Sequence, residues 1–208
     1  MEKKKKRVEV ILKELKRLYP HAKIVLNYSN PWELLVAVIL SAQCTDKKVN
    51  EVTAKLFPKY RTLEDYVKAD PREFEQDIYS TGFYRAKAKN ILSTAKIIKE
   101  KYKGRVPDTM EELLTLPGVA RKTANIVLGN VYKKYVGIAV DTHVKRLSIV
   151  LGLTVQTDPN KIEQELMKII PENEWFITTY RLISYGREYC VAKGHNHTEC
   201  PLSKVLKE

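Results

Sequence analysis

The stretch Asn30–Leu40 constrains the fold of this chain more than any other. Asn30 is a good N-cap, Pro31 suits the first helical position, and Glu33 follows three residues after the cap. The run Leu34–Leu40 behind them has no polar face. A helix that is apolar all round is stable only when neighbours cover every side, so this one is expected at the centre of a helical bundle.

Helical punctuation and spacing fill most of the remaining chain. Val8, Ile11, Leu12 and Leu15 form one stripe, and Thr45 caps a segment with Val49, Val52, Ala54 and Leu56 on its apolar side. Asp70-Pro71-Arg72-Glu73 repeats the pattern at Asn30, and Arg85–Lys101 turns Ala88, Ile91, Leu92, Ala95 and Ile98 inward. Asp141 and Asp158-Pro159 open two further helices, and Asn173–Tyr189 reads as the last long one. The one extended candidate, Tyr135–Val140, is too short to build a sheet alone. The expected fold class is all-α. With 208 residues and 44% hydrophobic content the chain can bury a real core. Nothing in it reads as a signal peptide or a membrane span, and with only three cysteines a cytoplasmic protein is expected.

The chemistry is expected around Leu116-Pro117-Gly118-Val119-Ala120-Arg121-Lys122-Thr123-Ala124. Overlapping capping boxes, Asp108 with Glu111 and Thr109 with Glu112, start a short helix that Pro117 stops. Gly118 tolerates positive φ in the turn, and a second helix follows from about Arg121 to Tyr132 with Ala124, Val127, Leu128 and Val131 on one face. The free N–H groups at such a helix start bind phosphate without side chains. A plain packing hairpin is the bland alternative, but Lys122 lies in a first turn, where the helix dipole disfavours a cation. Stability does not explain a lysine there; a phosphate partner or a nucleophilic role does. A net charge of +12 fits a polyanionic partner. The lysine run within Met1–Arg7 reads either as a phosphate contact or as a solvated helix start.

The hairpin, together with Ile138-Ala139-Val140-Asp141-Thr142-His143, resembles the endonuclease III branch of the helix-hairpin-helix DNA glycosylases, and the resemblance covers most of the chain. It implies two helical domains with a cleft between them: residues 25–134 carrying the hairpin, and residues 1–24 with 135–208. It also implies base-excision repair of double-stranded DNA with damaged bases or abasic sites, by a monomer. Oxidised pyrimidines would be removed and the strand nicked by β-elimination, with Lys122 as the amine that attacks C1′ and Asp141 as its carboxylate partner. A lysine attacks only when neutral, so its pKa must fall from about 10.4. Asp141 reads by itself as an N-cap, and His143 as a local structural contact.

By the same resemblance Gln43, in Ser41-Ala42-Gln43-Cys44-Thr45-Asp46, fills the gap left by an extruded base. Phe83, in Thr81-Gly82-Phe83-Tyr84, is the apolar wedge, and Gly118, Ala120 and Arg121 bind the backbone. Asp46 lines the base pocket or helps cap its helix. The residues alone also allow a polar helix end at Gln43 and a core aromatic at Phe83. Two other functions stay open: a thymine mismatch glycosylase, and a non-catalytic DNA-binding module. An adenine-excising enzyme is disfavoured, because Ala37 stands where such relatives carry glutamate.

Two positions depart from the family pattern. Ala120 replaces the second hairpin glycine. Many relatives also end in four cysteines that hold an iron–sulfur cluster; here Cys190 and Cys200 match the first and third, while His197 and Leu206 replace the others. The expectation is therefore no cluster and no cofactor. For Cys190, His195, His197 and Cys200, zinc, a Cys190–Cys200 disulfide and free thiols stay open. Cys44 reads as a small buried residue.

Overall fold

The computed structural model describes residues 2–206; Met1 and the side chains of Glu2 and Lys3, part of the basic run, lie outside the described residues. Twelve α-helices are present among them: α1 (Glu2–Leu18), α2 (Pro31–Leu40), α3 (Asp46–Lys59), α4 (Leu63–Lys68), α5 (Pro71–Asp77), α6 (Tyr84–Lys101), α7 (Met110–Leu113), α8 (Arg121–Val127), α9 (Thr142–Val150), α10 (Pro159–Ile169), α11 (Trp175–Glu188) and α12 (Pro201–Val205). No strand occurs among the described residues, and Tyr135–Val140 runs as irregular chain. Two compact units result, Val25–Lys134 and Met1–Ile24 with Tyr135–Glu208.

The Val25–Lys134 unit is built on α2. Asn30 Oδ1 accepts from the Glu33 N–H at 2.9 Å, and Glu33 reaches back to the Ser29 N–H at 2.6 Å, so both start signals are used. Trp32 and every residue from Leu34 to Leu40 are buried, with α3, α6 and α8 against them. Trp32, Tyr60, Tyr66 and Phe74 form an aromatic cluster with ring centroids 5.1–5.8 Å apart. On α3 the inward set is Val49, Val52, Thr53 and Leu56; Ala54 is exposed. Thr53 can take that place because its hydroxyl bonds the Asn50 carbonyl at 3.3 Å and its methyl packs.

The other unit packs α1, α9, α10, α11 and α12 around Val8, Ile11, Leu15, Val144, Leu147, Ile162, Leu166, Leu182 and Tyr185, all at most 2% exposed. Ile138 and Val140, in the irregular chain, also enter this core. Arg7, within the basic N-terminal run, donates to the Leu151 carbonyl at 2.7 Å, a structural contact.

Candidate functional site

The hairpin between α7 and α8 is set by local bonds and by α6. Thr109 caps α7 through the Glu112 N–H at 3.3 Å, but Asp108 makes no second box and instead pairs with Lys134 at 2.6 Å. Gly118 has φ +77, and a Cβ on it would lie 2.8 Å from Asn90 Nδ2 and 3.0 Å from Asn90 Cβ on α6. Glycine is needed there twice, for its backbone angle and for the space. Thr94 of α6, fully buried, holds the Pro117 carbonyl at 3.0 Å. Ala120 is the N-cap of α8 with φ −95 and ψ 172, an extended conformation open to any residue, so the missing second glycine costs no strain.

Arg121 and Lys122 are the first two residues of α8, both half-buried. The helix expected to reach Tyr132 is α-helical only to Val127, and Leu128–Tyr132 is a wider π turn. Asn130 Nδ2 donates to the Ile126 carbonyl at 2.7 Å, occupying the acceptor that an α pattern assigns to the Asn130 N–H.

Asp141 lies in the other unit, at the N-cap of α9. One carboxylate oxygen accepts from the Val144 N–H at 2.8 Å, and His143 Nδ1 meets the other at 3.2 Å. Its side chain is 15% exposed. His143, read from sequence as a local contact, thus helps orient the candidate catalytic carboxylate. The two-residue spacing was the available signal.

Gln43 and Phe83 lie on two loops of the Val25–Lys134 unit. Both are in the left-handed region, with φ 52 and φ 49, and Phe83 is 65% exposed. Such a conformation costs a non-glycine residue about 1–2 kcal/mol, and it turns each side chain out of the helix it would otherwise join. The core reading of Phe83 is therefore set aside. Asp46 is the half-buried first residue of α3, whose cap is Thr45. Cys44 is only partly buried.

Sequence reasoning missed Lys87. Its side chain is buried and its Nζ donates to the Leu40 carbonyl at 2.8 Å and the Thr81 carbonyl at 2.9 Å. Leu40 ends the helix before Gln43, and Thr81 precedes Gly82-Phe83, so one ammonium ties both loops. Burial lowers its pKa from the ordinary lysine value. The signal was a lysine one turn before Ile91, in register with the apolar face of α6.

At the C-terminal end, Cys190, His195, His197 and Cys200 bring their ligand atoms within 4.8 Å of one another. This corrects the expectation that the chain takes no cofactor: the described residues gather four side-chain donors able to hold a metal ion. Only two of the four cysteines of the family pattern are present, which spoke against a cluster and left zinc, a disulfide and free thiols open for these four residues. The missing donor comes from His195, inside the loop, while Leu206 packs against the core.

The model of the HhH-GPD superfamily of base excision DNA repair proteins matches residues 36–172. The chain belongs to that family. An endonuclease III of Synechocystis sp. is 51% identical over 99% of this chain and 94% of its own. Among solved structures, a non-covalent endonuclease III–DNA complex matches at TM-score 0.92 and 46% identity, covering 97% of this chain and 94% of that one. A trapped covalent endonuclease III–DNA intermediate matches at TM-score 0.91 and 47% identity, over 95% and 93%. This endonuclease III-like chain is a bifunctional DNA glycosylase and AP lyase of base-excision repair, not a non-catalytic binding module.

Proposed function

We propose that the chain excises oxidised pyrimidines from duplex DNA and nicks the strand at the resulting site, with Lys122 as nucleophile. Lys122 Nζ, once neutral, forms a bond to C1′ while the C1′–N bond to the base breaks and the electron pair leaves with the base. Asp141, ionised at a helix N-terminus, offsets the positive charge that develops on the sugar. A proton then passes from Nζ to O4′ as the C1′–O4′ bond breaks, opening the sugar to an iminium that acidifies C2′–H; loss of that proton expels the 3′ phosphate, and water then hydrolyses the imine to free Lys122. Gln43 fills the space of the extruded base, Phe83 wedges the neighbouring step, and Asp46 lines the base pocket. Backbone N–H groups of Gly118, Ala120 and Arg121 hold a phosphate, while that of Val119 is bonded to the Leu116 carbonyl at 3.2 Å. A DNA substrate and three cysteines with no disulfide among them fit the cytoplasm.

The observation that carries this reading is Lys122 in the first turn behind the hairpin, in a chain 47% identical to an enzyme caught covalently on DNA. Borohydride trapping on abasic-site duplex tests it. Lys122→Gln is expected to abolish trapping and nicking while duplex affinity stays within a few fold. A mutant that is still trapped removes Lys122 from the role.

A further inference from the structure

The loop that closes the Met1–Ile24 and Tyr135–Glu208 unit holds a donor set unlike a four-thiolate cluster site. Cys190 follows the end of α11 and Cys200 precedes α12, both buried, and the loop between them supplies His195 and His197. His197 Nδ1 lies 3.3 Å from Cys190 Sγ, and the two imidazoles meet edge to face with centroids 4.2 Å apart. The Nε2 of His195 is buried and has no hydrogen-bond partner. A buried ring nitrogen with nothing to bond is costly unless a ligand completes it. Arg146 donates to Cys190 Sγ at 3.5 Å and to the Cys190 carbonyl, which fixes the position of that sulfur.

The spacing decides how many metal ions fit. Around one tetrahedral zinc, at about 2.3 Å from sulfur and 2.0–2.1 Å from nitrogen, ligand atoms stand roughly 3.3–3.8 Å apart. Four donors all within 4.8 Å of one another are close to that shell. A core of four irons and four sulfides holds its outer ligands further apart and takes thiolates. We propose that Cys190, His195, His197 and Cys200 bind a single zinc ion that fastens α11 to the C-terminal segment. Two thiolates balance its charge, and two neutral imidazoles complete the tetrahedron. This inference does not depend on the roles given to Lys122 and Asp141.

The test is elemental analysis and native mass spectrometry of the full chain, expressed with both zinc and iron available and purified without oxygen. One zinc per chain and a colourless protein are expected. Replacing the ion with cobalt(II) is expected to give the visible bands of a tetrahedral sulfur–nitrogen site. His195→Gln, which leaves both buried cysteines in place, is expected to weaken zinc at least tenfold in competition with a chromophoric chelator. About four irons per chain, a Cys190–Cys200 disulfide, or a metal-free protein with three titratable thiols each overturns the proposal. An unchanged zinc affinity in His195→Gln removes the fourth ligand and overturns it as well.

Discussion

At Lys87 a charged group is buried and held by two backbone carbonyls from segments far apart in the chain, Leu40 and Thr81. Desolvation works against the ammonium, and the two charge-assisted hydrogen bonds offset it. Their effect is positional, because Leu40 and Thr81 stand at the roots of the loops that turn Gln43 and Phe83 into left-handed conformations. Lys87→Met keeps most of the unbranched side chain, one atom shorter, and removes the charge, leaving both carbonyls unsatisfied. The expected cost is about 1–3 kcal/mol of stability, together with a loss of lesion affinity that exceeds the loss on undamaged duplex. Calorimetry and paired binding titrations check this. Equal losses on both duplexes would make Lys87 a fold residue with no share in the loops' role.

Among the elements, α2 is the clearest case of a helix specified at both levels. Its cap is local, and its stability comes from burial of Leu34–Leu40 on every side. Asn30→Ala removes one acceptor from the Glu33 N–H and leaves the packing alone. The expected cost is about 1 kcal/mol, or roughly 2–4 °C in the thermal midpoint of a chain of this size. A shift near zero in a melting curve would mean that Pro31 and the Glu33–Ser29 contact suffice. The hairpin element is specified differently. Its turn residue is local, but its position is fixed by Asn90 and Thr94 of α6, which crowd Gly118 and hold Pro117.

For the whole molecule, the excess of 37 basic over 25 acidic residues is the term that salt acts on. Each phosphate neutralised releases condensed counterions, so duplex affinity is expected to fall steeply with salt: about a hundredfold between about 50 and 200 mM for some four phosphate contacts. Fluorescence anisotropy on undamaged duplex reads the slope directly, and a flat profile would contradict backbone binding. No helix among the described residues is long and apolar enough to cross a membrane.

The sequence by itself determined what rests on contacts within a turn of helix. Asn30, Thr45, Asp70, Thr109, Asp141 and Asp158 each accept from a backbone N–H two or three residues ahead. Such bonds depend only on local geometry, so the helix starts, the all-α class and the Gly118 turn were legible. The motifs around Lys122 and Asp141 were legible too, because each occupies a few consecutive residues. Only the tertiary structure decided what depends on partners remote in sequence. Lys87 lies in register with the apolar face of α6, but nothing local shows that Leu40, 47 residues away, meets its ammonium. Cys190, His195, His197 and Cys200 were named from the sequence with zinc, a disulfide and free thiols all open, because spacing alone does not show whether four donors converge. They meet because the core packs Cys190 and Cys200 close together and the chain between them folds back. Local hydrogen bonds are set by the chain's own geometry, whereas burial and convergence are set by the packing of segments that sequence spacing does not bring together.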